Sequence, residues 1–250
     1  MTRGEEYESQ EPRDLRARLH WVELLSLLGI LGVVAFAWNT RFVYPLKILV
    51  VFFHELSHGI MAILTGGRIQ EIQVVEQQGG LCITSGGSPF WILTAGYLGS
   101  LMWGGLLLVA SARTRFDRTI SVLLGGVLLA STALWVRPVA SFGFNFGLLA
   151  GAFMVFVGFV FGHRLNDYLL KIIGLTSCCY AVLDIKSDTL DRSELESDAS
   201  KIAEQFGGTT LLWGTLWISI AVVLAVRFLI FACKRRPDKE GGREPVGDFQ

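Results

Sequence analysis

Histidine is scarce in this chain: His20, His54, His58 and His163 are the only four among 250 residues. Cysteine is equally sparse. Cys82, Cys178, Cys179 and Cys233 form no CxxC pair, which argues against a disulfide framework and against a cysteine-based metal site. The simpler reading is that they are small apolar residues in or beside membrane spans. There is no continuous basic face and no interleaving of basic with aromatic residues, so no nucleic-acid partner is predicted. The formal net charge of zero is uninformative about partners. No period of 20–50 residues suggests a repeat architecture. The first twenty residues, "MTRGEEYESQEPRDLRARLH", lack the basic-then-apolar order of a cleaved signal peptide.

Apolar residues are abundant. They make up 52% of the chain, and the mean hydropathy is +0.49. Runs near the ~20 residues needed to cross a bilayer fall at 21–38, 44–65, 90–110, 119–136, 144–162 and 211–232. A seventh run, 168–183, is marginal, because Asp167 and Lys171 limit how deep its first turn can sit. The sequence therefore predicts an all-α polytopic membrane protein of six or seven spans, with the lipid bilayer as its surroundings. A polar segment over 1–20 precedes one membrane domain over 21–232, and a disordered tail covers 233–250. Basic clusters before the first run and after the last place both ends in the cytoplasm, which requires an even number of spans. The three arginines of "RTRFDR" (113–118) conflict with the six-span version.

Two segments between runs have a pattern of their own. Residues 66–87, "GGRIQEIQVVEQQGGLCITSGG", read as a β-hairpin: "RIQEIQVV" alternates, "QQGG" turns and "LCITS" returns. Residues 184–208 are acidic and polar and read as a loop plus a surface helix, started at Ser193 or Ser197 and ended by Gly207 and Gly208.

Within the second run lies "FFHELSHGI" (52–60). Residues four apart share a helix face, so His54 and His58 point the same way and can share one metal. Glu55 lies about 100° around the helix from His54, where it can reach a water on that metal without being a ligand. Two neutral imidazoles holding Zn²⁺ with a carboxylate as general base is the physical content of HExxH. A five-residue pattern with two free positions also arises by chance. Here, however, two of four histidines complete it inside an apolar run, about 10 Å along the helix from Lys47, where ionisable groups are rare and usually functional. Other metal chemistries fit less well. The single histidine box does not suit a desaturase-like di-iron site, and the paired Glu-x-x-His motifs of a four-helix di-iron site are missing.

A catalytic zinc needs a third protein ligand and an open position. His20 precedes the first run and His163 sits beside Arg164 at a run end, so a carboxylate must supply it. In "YAVLDIKSD" (180–188), Asp184 ends an apolar run and Asp188 follows one turn later on the same face. Asp184 is the favoured ligand and Asp188 the alternative. Asp167 and Asp198 rank lower.

"HELSHGIMAILTGGRIQEI", "TAGYLGSLMWGG" (94–105), "LDIKSDTL" (183–190) and "SDASKIAEQFGGTTLLWGTLW" (197–217) together resemble the site-2-protease-type intramembrane zinc metallopeptidases, in particular their small peptidase-like branch. The similarity covers about 44–232. It implies zinc on His54, His58 and a late aspartate, with Glu55 as general base. Asp184 matches the leucine-aspartate position of that family, although Ile185 stands where glycine is usual, which leaves Asp184 and Asp188 both open. Asp198 matches a further acidic position of the small branch, with helix N-capping as the plain alternative. The hairpin edge gains a use in pairing with an extended substrate. Gly96, Gly99, Gly104 and Gly105 read as small residues for close helix packing in lipid. No PDZ-like or nucleotide-binding regulatory domain is recognisable.

The expected function is that of an intramembrane zinc metalloendopeptidase acting on membrane-protein or peptide substrates. A catalytically silent metal-binding membrane adaptor is the alternative, and the intact Glu55 argues against it. A transporter comes third, because the chain shows no inverted repeats.

Overall fold

The structure, a computed structural model, describes residues 21–191 and 197–234. The polar segment expected over 1–20 and nearly all of the tail expected over 233–250 lie outside the described residues. Eight helices and one hairpin follow in chain order: α1 (Trp21–Phe36), α2 (Tyr44–Leu64), β1 (Arg68–Val75), β2 (Gly79–Ser85), α3 (Pro89–Arg113), α4 (Asp117–Trp135), α5 (Phe142–Val160), α6 (His163–Lys186), α7 (Asp198–Phe206) and α8 (Thr210–Ala232). Among the described residues six helices, α2 to α6 and α8, are long and apolar enough to cross a membrane.

Six spans were within the expectation, but the set differs. The run at 21–38 forms a helix of 16 described residues, shorter than the six. The run treated as marginal is instead one of the longest. It starts at His163 and continues through a π-helical turn (Ser187–Asp191). Its charged first turns are accommodated because the Lys171 ammonium lies 2.7 Å from Glu23 of α1 and 2.8 Å from Asp167. An ion with two counter-charges is far cheaper to bury than a lone one.

Helix α2 is the centre of the bundle. Pro at its first turn suits a helix start, where no intrahelical N–H is needed. Its residues from Lys47 to Phe53 are all buried, and those from Ile48 to Phe53 belong to the same apolar cluster as Ile72 of β1, Leu128 of α4 and Met154 of α5. Gly66, with φ of +87°, ends it, and the Gly67 N–H donates back to the Ala62 carbonyl at 2.7 Å.

The hairpin follows at once, in the predicted place. β1 and β2 pair antiparallel, with Ile72 opposite Cys82 and Val74 opposite Gly80. An irregularity between Ile69 and Glu71 breaks the alternation once, so that Ile69, Ile72 and Val74 all face inward. The outer edge of β1 is engaged: Ile72 bridges Val136, and the Arg137 N–H donates to the Ile72 carbonyl at 3.0 Å. Among the described residues no strand pairs with the outer edge of β2.

Small residues let the remaining helices approach closely. A Cβ at Gly104 of α3 would meet the Gly174 carbonyl of α6, and nearby Ser177 donates to the Ser100 carbonyl at 2.7 Å. The packing reading of the glycines therefore holds at Gly104, as it does at Gly99 against Ser57 and Gly105 against Phe228.

Candidate metal centre

The i,i+4 spacing on α2 places the His54 and His58 rings side by side, with centroids 4.8 Å apart. Both Nε2 atoms converge on one carboxylate oxygen, Oδ2 of Asp198, at 3.0 Å from His54 and 3.1 Å from His58. One ligand atom from each of the three residues fits within a span of 4.8 Å. Ligands held ~2.0–2.1 Å from a tetrahedral zinc stand roughly 3.3 Å from one another. The three side chains therefore fit a zinc ion in both donor type and spacing.

Hydrogen bonding sets the rings for this role. His58 Nδ1–H donates to the Ile92 carbonyl at 2.6 Å, so in the neutral ring Nε2 carries the lone pair a metal would take, whereas in the protonated ring it donates to Asp198. On His54, Nδ1 faces Asp184 Oδ2 at 3.8 Å, and Tyr97 packs edge-on against the ring at 5.1 Å between centroids. A third support is steric. A Cβ built at Gly96 of α3 would overlap the Nε2 atoms of both histidines. Gly96 thus makes room for the imidazoles, which packing in lipid alone did not predict.

The acid that the structure brings to the histidines is Asp198, whereas the sequence favoured Asp184 with Asp188 as alternative. Asp184, on α6, approaches His54 from the Nδ1 side, away from the convergent Nε2 atoms. Asp188, in the π-turn, accepts a 2.6 Å hydrogen bond from the Tyr97 hydroxyl. Both line the same cavity, whereas the three residues whose ligand atoms gather within 4.8 Å are His54, His58 and Asp198. Asp167 pairs with Lys171, far from it in role, and His163 lies 3.9 Å from Asp117.

Helix α7 delivers Asp198. Its N-cap is Ser197, not Asp198: the Ser197 hydroxyl accepts from the Ser200 N–H at 3.2 Å, and the Ser200 hydroxyl accepts from the Ser197 N–H at 2.8 Å. This reciprocal cap leaves the Asp198 carboxylate at the first helical position free to point at α2, where the positive end of the helix also favours an anion. Gly207, with φ of +82°, ends the helix as expected. Ala199 and Ile202 are fully buried and dock α7 into the cluster around Tyr97 of α3 and Trp217 of α8. The expected surface helix is therefore a docked one. Burial alone would raise the Asp198 carboxyl, but the charges and hydrogen bonds of His58 and His54 together reverse this and hold it well below the usual carboxylate range.

The site opens into a cavity of about 570 Å³. Glu55, 6% exposed, lines it beside the two histidines. Gly80 of β2 faces Glu55 so closely that a Cβ there would overlap the carboxylate. Gly79, Gly80, Leu81 and Cys82 form one wall of the cavity, and Asp198, Lys201 and Gln205 of α7 line it too. Burial pushes the Cys82 thiol up to about 12, with Glu55 and Asp198 adding to the effect, so at neutral pH it is not a nucleophile.

Neither the curated proteins nor the solved structures contain a match to this chain. The family model described as Peptidase M50B-like matches residues 27–228. That stretch runs from α1 into α8 and takes in both the histidine helix and the helix that brings Asp198. With its six apolar helices, the chain is a multi-pass integral membrane protein, and it belongs to the Peptidase M50B-like family.

Proposed function

We propose that the protein is an intramembrane zinc metalloendopeptidase that hydrolyses peptide bonds of membrane-protein substrates. His54, His58 and Asp198 hold the metal, and Glu55 is the general base. The observation that carries this reading is the convergence of two imidazole nitrogens and one carboxylate oxygen within 4.8 Å, beside Glu55 at the wall of the cavity. Asp198 replaces Asp184 as the third ligand, and Asp184 becomes the acid that orients His54 through Nδ1.

Zinc in such a site supplies Lewis acidity and lowers the pKa of a water from ~15.7 towards ~7. Glu55 accepts the proton of the attacking water and returns it to the departing amine nitrogen. The carbonyl carbon gains the water oxygen, the C–N bond breaks, and an acid and an amine result. Gly80 leaves Glu55 uncovered by a side chain on the β2 side. The outer edge of β2 offers backbone donors and acceptors to an extended segment, so a substrate helix must unwind to lie there.

The test is cleavage of membrane-inserted peptides by the purified, zinc-loaded protein beside Glu55→Gln. Hydrolysis by the wild type and a loss of ~100-fold or more in the variant, at unchanged zinc content, is expected. Equal cleavage by both proteins overturns the mechanism.

A further inference from the structure

Helix α7 turns three polar side chains to the cavity: Asp198, Lys201 and Gln205. The steps of three and four residues place them on one helical face. Lys201 is the only lysine or arginine among the described residues lining the cavity, whose other charged liners are the carboxylates of Glu55, Asp184, Asp188 and Asp198. Asp198 faces the two imidazoles, Asp184 faces His54 and Asp188 accepts from Tyr97. The Lys201 ammonium has no hydrogen bond or ion pair among the described residues. It lines the same cavity as the proposed base, Glu55.

The wall formed by β2 starts with two glycines, Gly79 and Gly80, of which Gly80 lies against Glu55. An extended segment lying on that edge sends alternate side chains to opposite faces. A cation on α7 with no hydrogen bond or ion pair among the described residues, one turn from Asp198, is complementary to a negative group on that segment. We propose that Lys201 is a specificity-determining residue that receives a carboxylate of the substrate next to the scissile bond. The carboxylate belongs to an Asp or Glu side chain or to a chain terminus. This assignment rests on the peptidase reading above. A charge-assisted hydrogen bond in a partly enclosed cavity is strong enough to set a preference of ~10-fold or more.

Binding tests the proposal without relying on turnover. The full chain carrying Glu55→Gln is purified in detergent, loaded with zinc and titrated with fluorescent apolar host peptides. One arm uses acetylated, amidated peptides with a single Glu, Gln or Lys scanned through the positions. A second arm compares the free acid of the unsubstituted host with its amide, which separates the two sources of carboxylate. Tighter binding of a carboxylate peptide than of its neutral counterpart by ~10-fold is expected. The preference should vanish in Lys201→Met and pass to the Lys peptide in Lys201→Glu, with zinc content unchanged in both. Binding with no carboxylate preference, or with the same preference in Lys201→Met, overturns the role of Lys201 and leaves the peptidase reading standing. No binding of any peptide to the zinc-loaded protein overturns both.

Discussion

His54 and Asp198 are separated by 144 positions in the chain, yet their Nε2 and Oδ2 atoms lie 3.0 Å apart. One half of the site is local, two histidines fixed on a single helix by their spacing. The other half arrives on α7, a helix of nine residues held by its own cap and a small buried face. Under the proposed ligand set, completing the site means docking α7, which links metal binding thermodynamically to the position of α7.

The first consequence concerns which residues hold zinc. Purified wild-type protein should contain one zinc per chain by elemental analysis. His54→Ala, His58→Ala and Asp198→Ala should each lose it, because a site with two protein ligands is a poor zinc site. Asp184→Asn should keep the metal but bind it ~10–100-fold more weakly in chelator competition, as expected for an acid that orients a ligand. Asp188→Asn should also retain zinc. Loss of zinc from the Asp184 variant together with retention in the Asp198 variant would return the ligand role to Asp184.

Chelation should be visible in stability as well. A metal that binds only the folded form adds about 2.7 kcal/mol when present at a hundred times its Kd. Stripping the metal with a chelator should lower the melting temperature of the wild type in detergent. Asp198→Ala should show no further drop on chelation. A melting curve of the wild type that ignores both chelator and added zinc would contradict the linkage.

The link to α7 can be tested away from the metal. Ile202 is fully buried on the face of α7 opposite to solvent, and truncating a buried isoleucine to alanine costs ~2–5 kcal/mol. Much of that cost falls on a short helix with little else to hold it. Ile202→Ala should therefore weaken zinc binding by ~10-fold or more although isoleucine offers the metal no ligand atom. A variant with normal zinc affinity would mean that α7 stays docked without this contact.

The sequence made some of this legible for clear physical reasons. The hairpin was readable because "RIQEIQVV" alternates and two glycine pairs flank the segment. The histidine pair was readable because four-residue spacing has one meaning on a helix. The acid that meets the two histidines was harder. Asp184 and Asp188 end an apolar run and so look embedded, whereas Asp198 sits in an acidic stretch that resembles a solvated loop. A signal was present in "SDASKIAEQFGG". The Ser197–Ser200 cap starts a helix whose Ala199 and Ile202 form an apolar stripe, and such a stripe must be buried somewhere. An acid beside a docking stripe is carried inward with it. Span identity failed at α6 for a related reason. Lys171 looks prohibitive alone, and only the fold shows that Glu23 and Asp167 both reach it.

Two glycines distinguish site shape from helix packing. Gly96 of α3 and Gly126 of α4 both lie inside long apolar helices, where helical periodicity and hydropathy do not separate them. A Cβ at Gly96 would overlap the His54 and His58 rings, while a Cβ at Gly126 would meet nothing within 4 Å. Alanine favours a helix over glycine by ~0.8–1.0 kcal/mol, so Gly126→Ala should keep full zinc content and melt no lower than the wild type. In Gly96→Ala the same helical gain is opposed by two rings that are already held, His58 by its bond to Ile92 and His54 between Tyr97 and Asp184. The rings must shift, and with them the Nε2 atoms that converge on Asp198. Zinc affinity should fall by ~10-fold or more, and the fall should be largest for the metal-loaded geometry rather than for the melting temperature of the metal-free protein. Equal zinc content and affinity in the two alanine variants would show that the imidazoles do not need the space that Gly96 leaves.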